Sequence, residues 1–230
     1  MPNLFEAIAS DSDYNRIIAE IKIKSPRDGD LLGNRDPLCI AHNFETAGAT
    51  ALSFITGPVE YGGNTQLLRE ICNQTSIPVL RKDIISSRSD IKASVGFGAE
   101  AVLLIASLLE RDLLRNLVSL AHDIGIDAVI EVHSDSDIEK AICTECQLIG
   151  INNRDISRFE MDSGTVGVTE ELRSLIPSNL KVISMSGIET SLDLKRVLRV
   201  SDAALIGTAL MKSSNPGAKL REFLEYSIRR

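Results

Sequence analysis

The chain has 230 residues, a formal net charge of −7 at pH 7, 43% hydrophobic residues and 25% charged residues. A chain of this length and composition can bury a large core, which excludes disordered, collagen-like and disulfide-stapled classes. The acidic balance and the 4% aromatic content argue against a nucleic-acid-binding protein, because a phosphate backbone needs a basic face.

Targeting, membrane and metal signals are weak in this sequence. The longest apolar runs, such as 101–106, are far shorter than the roughly 18 residues of a membrane span, and the first ten residues contain no Lys or Arg. Cys143 and Cys146 have C-x-x-C spacing, but a zinc site would need a second pair or two matching His. We therefore expect reduced thiols, no metal, and a cytoplasmic protein with no nucleic-acid or membrane partner.

The predicted elements alternate along the chain. A short helix comes first, because Asn3 and Glu6 form a capping box ahead of apolar residues. Eight aliphatic and β-branched runs follow, with the near-continuous apolar character of strands that are covered on both faces. These runs are 17–22, 51–56, 78–82, 101–105, 127–132, 148–152, 181–184 and 203–207.

Helical patterns lie between the runs, as at Leu113, Leu117 and Leu120, and Ser136 with Glu139 predicts a capping box after the fifth strand. Eight such units predict one closed (β/α)8 TIM barrel domain over residues 1–230, with residues 1–16 as a short N-terminal helical extension. The alternative, an open doubly wound sheet, would want a G-x-G-x-x-G turn after the first strand, where the chain has 24-KSP-26.

Charged residues gather at the carboxyl ends of the predicted strands, which meet at one mouth of such a barrel. Glu20 and Lys22 share the inward face of the first strand, Lys82 ends the third and Glu131 ends the fifth. These groups fit either a structural ion-pair network or acid–base catalysis. We favour catalysis, because several strands independently place charges at the same end. His133 is expected to anchor a loop.

The last two strands run into glycine turns, Ser186-Gly187 and Gly207-Thr208. Glycine lets backbone N–H groups approach an anion, and the start of a following helix adds partial positive charge. One such turn could be plain strand-end chemistry, but two on adjacent strands favour a phosphate site.

Six segments at strand ends resemble the indole-3-glycerol phosphate synthase family, in order along nearly the whole chain. They are IAEIK-x-KSP at 18–26, PVLRKD at 78–83, EVH at 131–133, IGINNRD at 149–155, SGI at 186–188 and LIG-x-ALM at 205–211. The resemblance implies ring closure with decarboxylation and dehydration of 1-(2-carboxyphenylamino)-1-deoxyribulose 5-phosphate in tryptophan biosynthesis, without a cofactor.

The same resemblance implies a role for each residue of the predicted site. Lys82 would protonate the ketone oxygen, Glu131 would serve the dehydration, Lys22 would hold the substrate carboxylate or donate a second proton, and Glu20 would orient the lysines. The residues implied to bind substrate are Asn152, Arg154, Ser25, Ser186, Gly187, Gly207 and Thr208.

The sequence departs from the family pattern at three positions. Met185 stands where Glu is usual, Ile84 where Phe is usual, and Tyr61 where Phe is common. A missing carboxylate changes the charge around the lysines, and a missing aromatic ring weakens stacking on an aryl substrate.

Other functions are compatible with the same sequence pattern. A phosphoribosylanthranilate isomerase would want Cys at the end of the first strand, where this chain has Glu20-Ile21-Lys22, and a paralogue with an altered substrate is a related possibility. An impaired homologue acting as a binding protein has no physical reason to keep buried charges. The partner is expected to be a phosphorylated small molecule; the chain acts either as a monomer or in a complex with other tryptophan-pathway enzymes.

Overall fold

Eight parallel strands close into a barrel in the computed structural model, which describes residues 2–10, 14–154 and 165–225. Each barrel strand pairs with the next along the chain, and the last pairs with the first. The predicted TIM barrel is therefore confirmed, with every strand within one residue of its predicted bounds. The barrel strands are β1 (Ile17–Ile21), β4 (Ala51–Ile55), β5 (Val79–Lys82), β6 (Ala101–Ile105), β7 (Asp127–Val132), β8 (Leu148–Asn152), β9 (Lys181–Met185) and β10 (Ala203–Ile206).

Helices cover the outside of the barrel, and most of them begin at a polar cap. The helices are α1 (Leu4–Ala9), α2 (Pro37–Ala47), α3 (Thr65–Gln74), α4 (Arg88–Phe97), α5 (Arg111–Asp123), α6 (Asp135–Ile142), α7 (Gly167–Leu172), α8 (Ser191–Leu198), α9 (Thr208–Met211) and α10 (Pro216–Glu225). The N-cap side chains of α2, α3, α4, α6 and α8 each accept a hydrogen bond from a backbone N–H in the first turn.

Alternation along the strands divides the core into two layers. In β1, Ala19 and Ile21 are buried in the cluster between strands and helices, whereas Ile18 lies in the cluster that fills the barrel interior. This is the facing predicted from the sequence, and it aims Glu20 inward. The loop after β1 adds a feature that the sequence analysis missed, a small antiparallel hairpin of β2 (Lys24–Ser25) and β3 (Gly29–Asp30).

Helix α1 closes the amino end of the barrel. Leu4 and Ile8 are fully buried and belong to the interior cluster. The backbone N–H of Phe5 donates to Asp127 Oδ2 at 2.8 Å, and Asp127 is the first residue of β7. The predicted capping box of Asn3 and Glu6 is present. The N-terminal helix therefore lies at the end of the barrel opposite to the strands' carboxyl ends.

One predicted cap is wrong by two residues. The N-cap of α6 is Ser134, whose hydroxyl accepts from the N–H of Asp137, and not Ser136 with Glu139. The sequence offers two overlapping Ser-x-x-acid frames, and the His133 N–H donates to Asp137 Oδ2 at 3.1 Å, which favours the earlier one.

The cysteines and the length of the helices bear on the expected redox state and on membrane insertion. All four cysteines are free, with Cys143 exposed and Cys146 buried. Among the described residues, no helix is long and apolar enough to cross a membrane.

Candidate active site

The carboxyl ends of the strands open into a mouth with two lobes. The apolar lobe has about 670 Å³ of empty space, part of it open to solvent, and the polar lobe has about 410 Å³. Lys82, Arg154 and Ser186 line both lobes, so one ligand could span them. The apolar lobe is completed by Ile55, Gly57, Pro58, Tyr61, Asp83, Ile84, Leu103, Ile105, Glu131 and Asn152, and the polar lobe by Glu20, Lys22, Gly187, Ile188, Glu189, Leu205, Ile206, Gly207 and Thr208.

The polar lobe concentrates positive charge in an otherwise acidic protein. Three cationic side chains line it against two carboxylates, and Lys22 and Arg154 are almost wholly buried, with exposed fractions of 2% and 4%. The Lys22 ammonium lies 5.2 Å from the centre of the Tyr61 ring, a cation–π distance. Gly207 touches the Glu20 carboxylate so closely that a Cβ at this position would overlap it. A side chain at this position would therefore require the Glu20 carboxylate to move.

Glu131 and Asn152 form a buried pair on neighbouring strands. The Asn152 Nδ2 donates to Glu131 Oε1 at 2.9 Å, and Asn152 Oδ1 accepts the backbone N–H of Arg154 at 3.0 Å. His133 Nδ1 lies 2.9 Å from the Asn152 carbonyl oxygen, so His133 holds the end of β8, as expected of a loop anchor. Glu131 Oε2 is buried and has no hydrogen-bond partner among the described residues, which leaves it open to a ligand.

A partly buried ion pair braces the end of β5 on either side of Lys82. Arg81 points to the outer face, where its Nη2 contacts Asp83 Oδ2 at 2.7 Å and its Nη1 donates to Ser94 Oγ at 2.9 Å. Thr56, at the end of the neighbouring strand, donates to the same Asp83 oxygen at 2.7 Å. These contacts fix the backbone on both sides of Lys82, and the sequence analysis did not single them out.

Asn153 ties the turn after β9 to the barrel. Its Nδ2 donates to Ser184 Oγ and to the carbonyl oxygens of Met185 and Ser186 at 2.9–3.0 Å, and its Oδ1 accepts from the N–H and hydroxyl of Thr169. Ser186 has a φ of +65°, a left-handed conformation that costs a non-glycine residue about 1 kcal/mol or more. The Asn153 contacts hold the turn in that conformation and aim Ser186 and Gly187 into the polar lobe.

Arg154 and Glu189 meet above the polar lobe. Arg154 Nη2 lies 3.6 Å from Glu189 Oε1, and the same carboxylate oxygen receives Arg27 Nη2 at 3.3 Å. Arg27 is carried by the loop after β1 and also contacts Asp28 Oδ2 at 3.2 Å. Asp28 in turn pairs with Lys212 at 2.6 Å, and these two ion pairs hold its pKa below the ordinary value despite the opposing effect of burial.

The structure brings nearly all predicted site residues to this mouth. The exception is Ser25, which lies in β2, does not line either lobe, and accepts the Asp28 N–H at 3.3 Å. Met185 is buried in the barrel interior against Gly150. The functional contacts missed from sequence are those of Arg81, Asn153 and Glu189. Asp155, the last residue of the IGINNRD segment, falls outside the described residues.

Fold and site together define a (β/α)8-barrel enzyme whose mouth brings Lys and Glu side chains suited to acid–base chemistry next to a glycine-lined lobe with more cationic than anionic side chains. The sequence model of the family described as indole-3-glycerol phosphate synthase matches residues 1–223. The indole-3-glycerol phosphate synthase of Pyrococcus furiosus is 49% identical over 214 residues, which cover 93% of each chain. That of Thermococcus kodakarensis is 46% identical over 217 residues (94% of this chain and 95% of the relative), and that of Dehalococcoides mccartyi is 39% identical over 213 residues (91% and 81%).

The chain belongs to the indole-3-glycerol phosphate synthase family. The family contains decarboxylating, ring-closing lyases of tryptophan biosynthesis, as the resemblance of the sequence motifs predicted. The isomerase alternative loses its support, because the match extends over nearly the whole chain.

Proposed function

We propose that this chain converts 1-(2-carboxyphenylamino)-1-deoxyribulose 5-phosphate into indole-3-glycerol phosphate, CO₂ and water at the two-lobed mouth. One observation carries the assignment of the site: Lys82 lines both lobes, with Glu131 on the apolar side and Lys22 on the polar side. A substrate with an aryl group at one end and a phosphate at the other places its reacting ketone between them, within reach of Lys82.

The polar lobe suits the phosphate. Gly187 and Gly207 expose backbone at two adjacent strand ends, Thr208 adds a hydroxyl, and the lobe carries more cationic than anionic side chains. Helix α9 begins at Thr208 but has only four residues, so the anion would be held by these direct contacts rather than by a long helix. Ser25 stays a predicted phosphate contact: it lies in β2, outside the lining of the two lobes, and its hydroxyl accepts the N–H of Asp28 in the loop after β1.

The apolar lobe suits the carboxyphenyl ring. Ile55, Pro58, Leu103 and Ile105 give it an apolar wall, and Tyr61 supplies an aromatic face. Ile84 is half exposed at the rim, where a branched aliphatic side chain covers a ring edge without stacking on it. Lys22, held near Tyr61, is placed to bind the substrate carboxylate, with Glu20 as its neighbour.

The chemistry divides between two acid–base groups. As the aryl carbon that carries the carboxylate attacks the ketone carbon, the Lys82 ammonium transfers a proton to the ketone oxygen, which becomes a hydroxyl group. Loss of CO₂ returns its electron pair to the ring and restores aromaticity. Glu131, held by Asn152, then serves the elimination of that hydroxyl as water, which forms the indole double bond. Arg154 and Asn152 hold the substrate in the position that this reaction needs.

Turnover of the substrate, followed by the absorbance of the indole product, tests this assignment. Lys82→Met keeps most of the side-chain stem but removes the acid, so kcat should fall at least about 10²-fold, the usual share of a positioned acid, with a much smaller change in KM. Lys82→Arg should rescue poorly, because a guanidinium holds its proton too tightly.

Lys181→Met provides the matched control. Lys181 begins β9 at the opposite end of the barrel, where it pairs with Asp202, so this variant should keep the wild-type kcat. Equal kcat values for Lys82→Met and the wild type would reject Lys82 as the acid and move that role to Lys22. No product from the wild-type protein would reject the proposed activity altogether.

We also infer that the enzyme works in the cytoplasm, since four free cysteines fit a reducing compartment. We also predict that the chain acts either as a monomer or in a complex with other enzymes of tryptophan biosynthesis. Sedimentation of the purified chain, alone and with those enzymes, distinguishes the two.

A further inference from the structure

Arg154 is a buried cation with unused hydrogen-bonding capacity. Its side chain is 5% exposed, lines both lobes, and has a buried Nε with no hydrogen-bond partner among the described residues. A buried guanidinium with an unpaired N–H group costs free energy unless an anion accepts a hydrogen bond from it. The described carboxylate that approaches it is Glu189, at 3.6 Å, which is long for a charge-assisted hydrogen bond.

Glu189 itself is placed as a movable counterion. Its side chain is 56% exposed, whereas its backbone is fixed, because the Glu189 N–H donates to Asp193 Oδ2 in the capping box of α8. One oxygen, Oε1, contacts both Arg154 and Arg27, so a single negative charge serves two cations. A rotation of the side chain could therefore withdraw this charge without disturbing the strand or the helix.

We propose that Glu189 is a specificity-determining counterion, a side-chain carboxylate that pairs with Arg154 and Arg27 and gives way to the phosphate of the substrate. Glu189 lines the same lobe as Gly187, Gly207 and Thr208, so its carboxylate competes with the phosphate at that end of the ligand. A ligand that brings a doubly charged phosphate displaces the singly charged carboxylate, whereas a weakly anionic ligand does not. The inference rests on the proposed phosphate site and adds to it a residue that opposes binding.

Calorimetric titration of inorganic phosphate into the folded protein at low salt tests the inference directly. Glu189→Gln keeps the shape of the side chain but removes the competing charge, so the phosphate Kd should fall about two- to fivefold, the effect of one exposed ion pair. The gain should shrink as salt is raised. The substrate KM should fall with it, while kcat stays within about twofold, because Glu189 touches no reacting atom in the proposed mechanism.

Glu170→Gln is the charge-matched control. Glu170 pairs with Arg196 of α8 but does not line either lobe, so the same change in net charge there should leave the phosphate Kd unchanged. An equal gain in both variants would overturn the proposal, since it would reflect only the overall charge of the protein. An unchanged or weaker phosphate affinity in Glu189→Gln would overturn it too, and so would a gain for anthranilate, a probe of the carboxylate end, without one for phosphate.

Arg154→Gln separates this inference from the phosphate site on which it rests. If Arg154→Gln weakens phosphate binding about tenfold and Glu189→Gln does not strengthen it, the phosphate site stands and the counterion role fails. If Arg154→Gln has no effect on phosphate binding, Arg154 does not contact the phosphate and the counterion role fails, whereas the site at Gly187, Gly207 and Thr208 stands. If the wild-type protein binds no phosphate, the phosphate site and the counterion role fail together.

Discussion

At the scale of single residues, the mouth depends on side chains that contact no substrate in the proposed mechanism. Asn153 is 2% exposed, and its amide serves β9, the turn at Ser186 and helix α7 together. Its removal would leave several buried backbone and hydroxyl groups without partners, and each such group costs about 1–3 kcal/mol.

Asn153→Ala should therefore lower the free energy of unfolding by about 2–4 kcal/mol, measured by urea denaturation. Thr169→Val removes one hydroxyl of the same network but leaves its backbone N–H in place, so this control should lose about 1 kcal/mol. Equal losses in the two variants would show that Asn153 does not organise the network.

These residues also mark the limit of what the sequence could predict. Glu20, Lys22, Lys82 and Glu131 follow from strand alternation and from the rule that barrel strands converge at their carboxyl ends. The contact of Glu189 with Arg154 depends on how two loops after different strands approach each other, and no local pattern encodes that distance. Asn153 looked like part of a motif, whereas its partners lie 16 to 33 residues away.

At the scale of single elements, α4 is coupled to the brace beside Lys82. Arg81 Nη1 donates to the Asp90 carbonyl oxygen, and Asp90 closes the capping box of α4 with Ser87. The Ser87 hydroxyl is the main cause that holds the pKa of Asp90 below its ordinary value, with backbone N–H groups adding to it. The cap therefore stabilises the helix most when Asp90 is ionised.

Asp90→Asn should lower the free energy of unfolding by about 1 kcal/mol at pH 7, as the charged part of the cap is lost. Because the folded-state pKa is depressed, the contribution of Asp90 is complete above the ordinary carboxyl pKa of 3.8 and disappears as the pH falls through the lower folded value. The difference in the free energy of unfolding between Asp90→Asn and the wild type, measured by urea denaturation, should thus become smaller below pH 4.

Asp112→Asn in the first turn of α5 gives the comparison, because Asp112 is exposed and closes no capping box. This variant should change stability by less than about 0.5 kcal/mol at either pH. A pH-independent loss in Asp90→Asn would assign the effect to packing and not to the ionised cap.

The elements themselves were predictable to different degrees. The eight barrel strands could be located because both of their faces are buried, and such strands consist of nearly continuous apolar runs. The β2–β3 hairpin has two residues per strand, too few to show any period. The cap of α6 was misplaced because a Ser-x-x-acid pattern occurs twice within six residues, and only the end of β7 decides between them.

At the scale of the whole molecule, the two ends of the barrel differ in structure and in role. The carboxyl end carries the buried charges and the open lobes, whereas α1 seals the amino end with Leu4 and Ile8. In (β/α)8 barrels, residues at the amino end support stability and those at the carboxyl end support function. Substitutions at the two ends should therefore separate folding from catalysis.

Leu4→Ala should lower the free energy of unfolding by about 2–4 kcal/mol, because it removes a fully buried side chain from the interior cluster. It should leave kcat within about twofold of wild type when assayed well below the melting temperature, since α1 lies at the far end from Lys82.

Leu192→Ala is the matched control: Leu192 is 63% exposed on α8, so the same truncation should cost less than about 0.5 kcal/mol. Lys82→Met should show the reverse of Leu4→Ala, a large loss of kcat with little loss of stability. A fall in kcat for folded Leu4→Ala comparable to that of Lys82→Met would show that the amino-end helix takes part in forming the mouth.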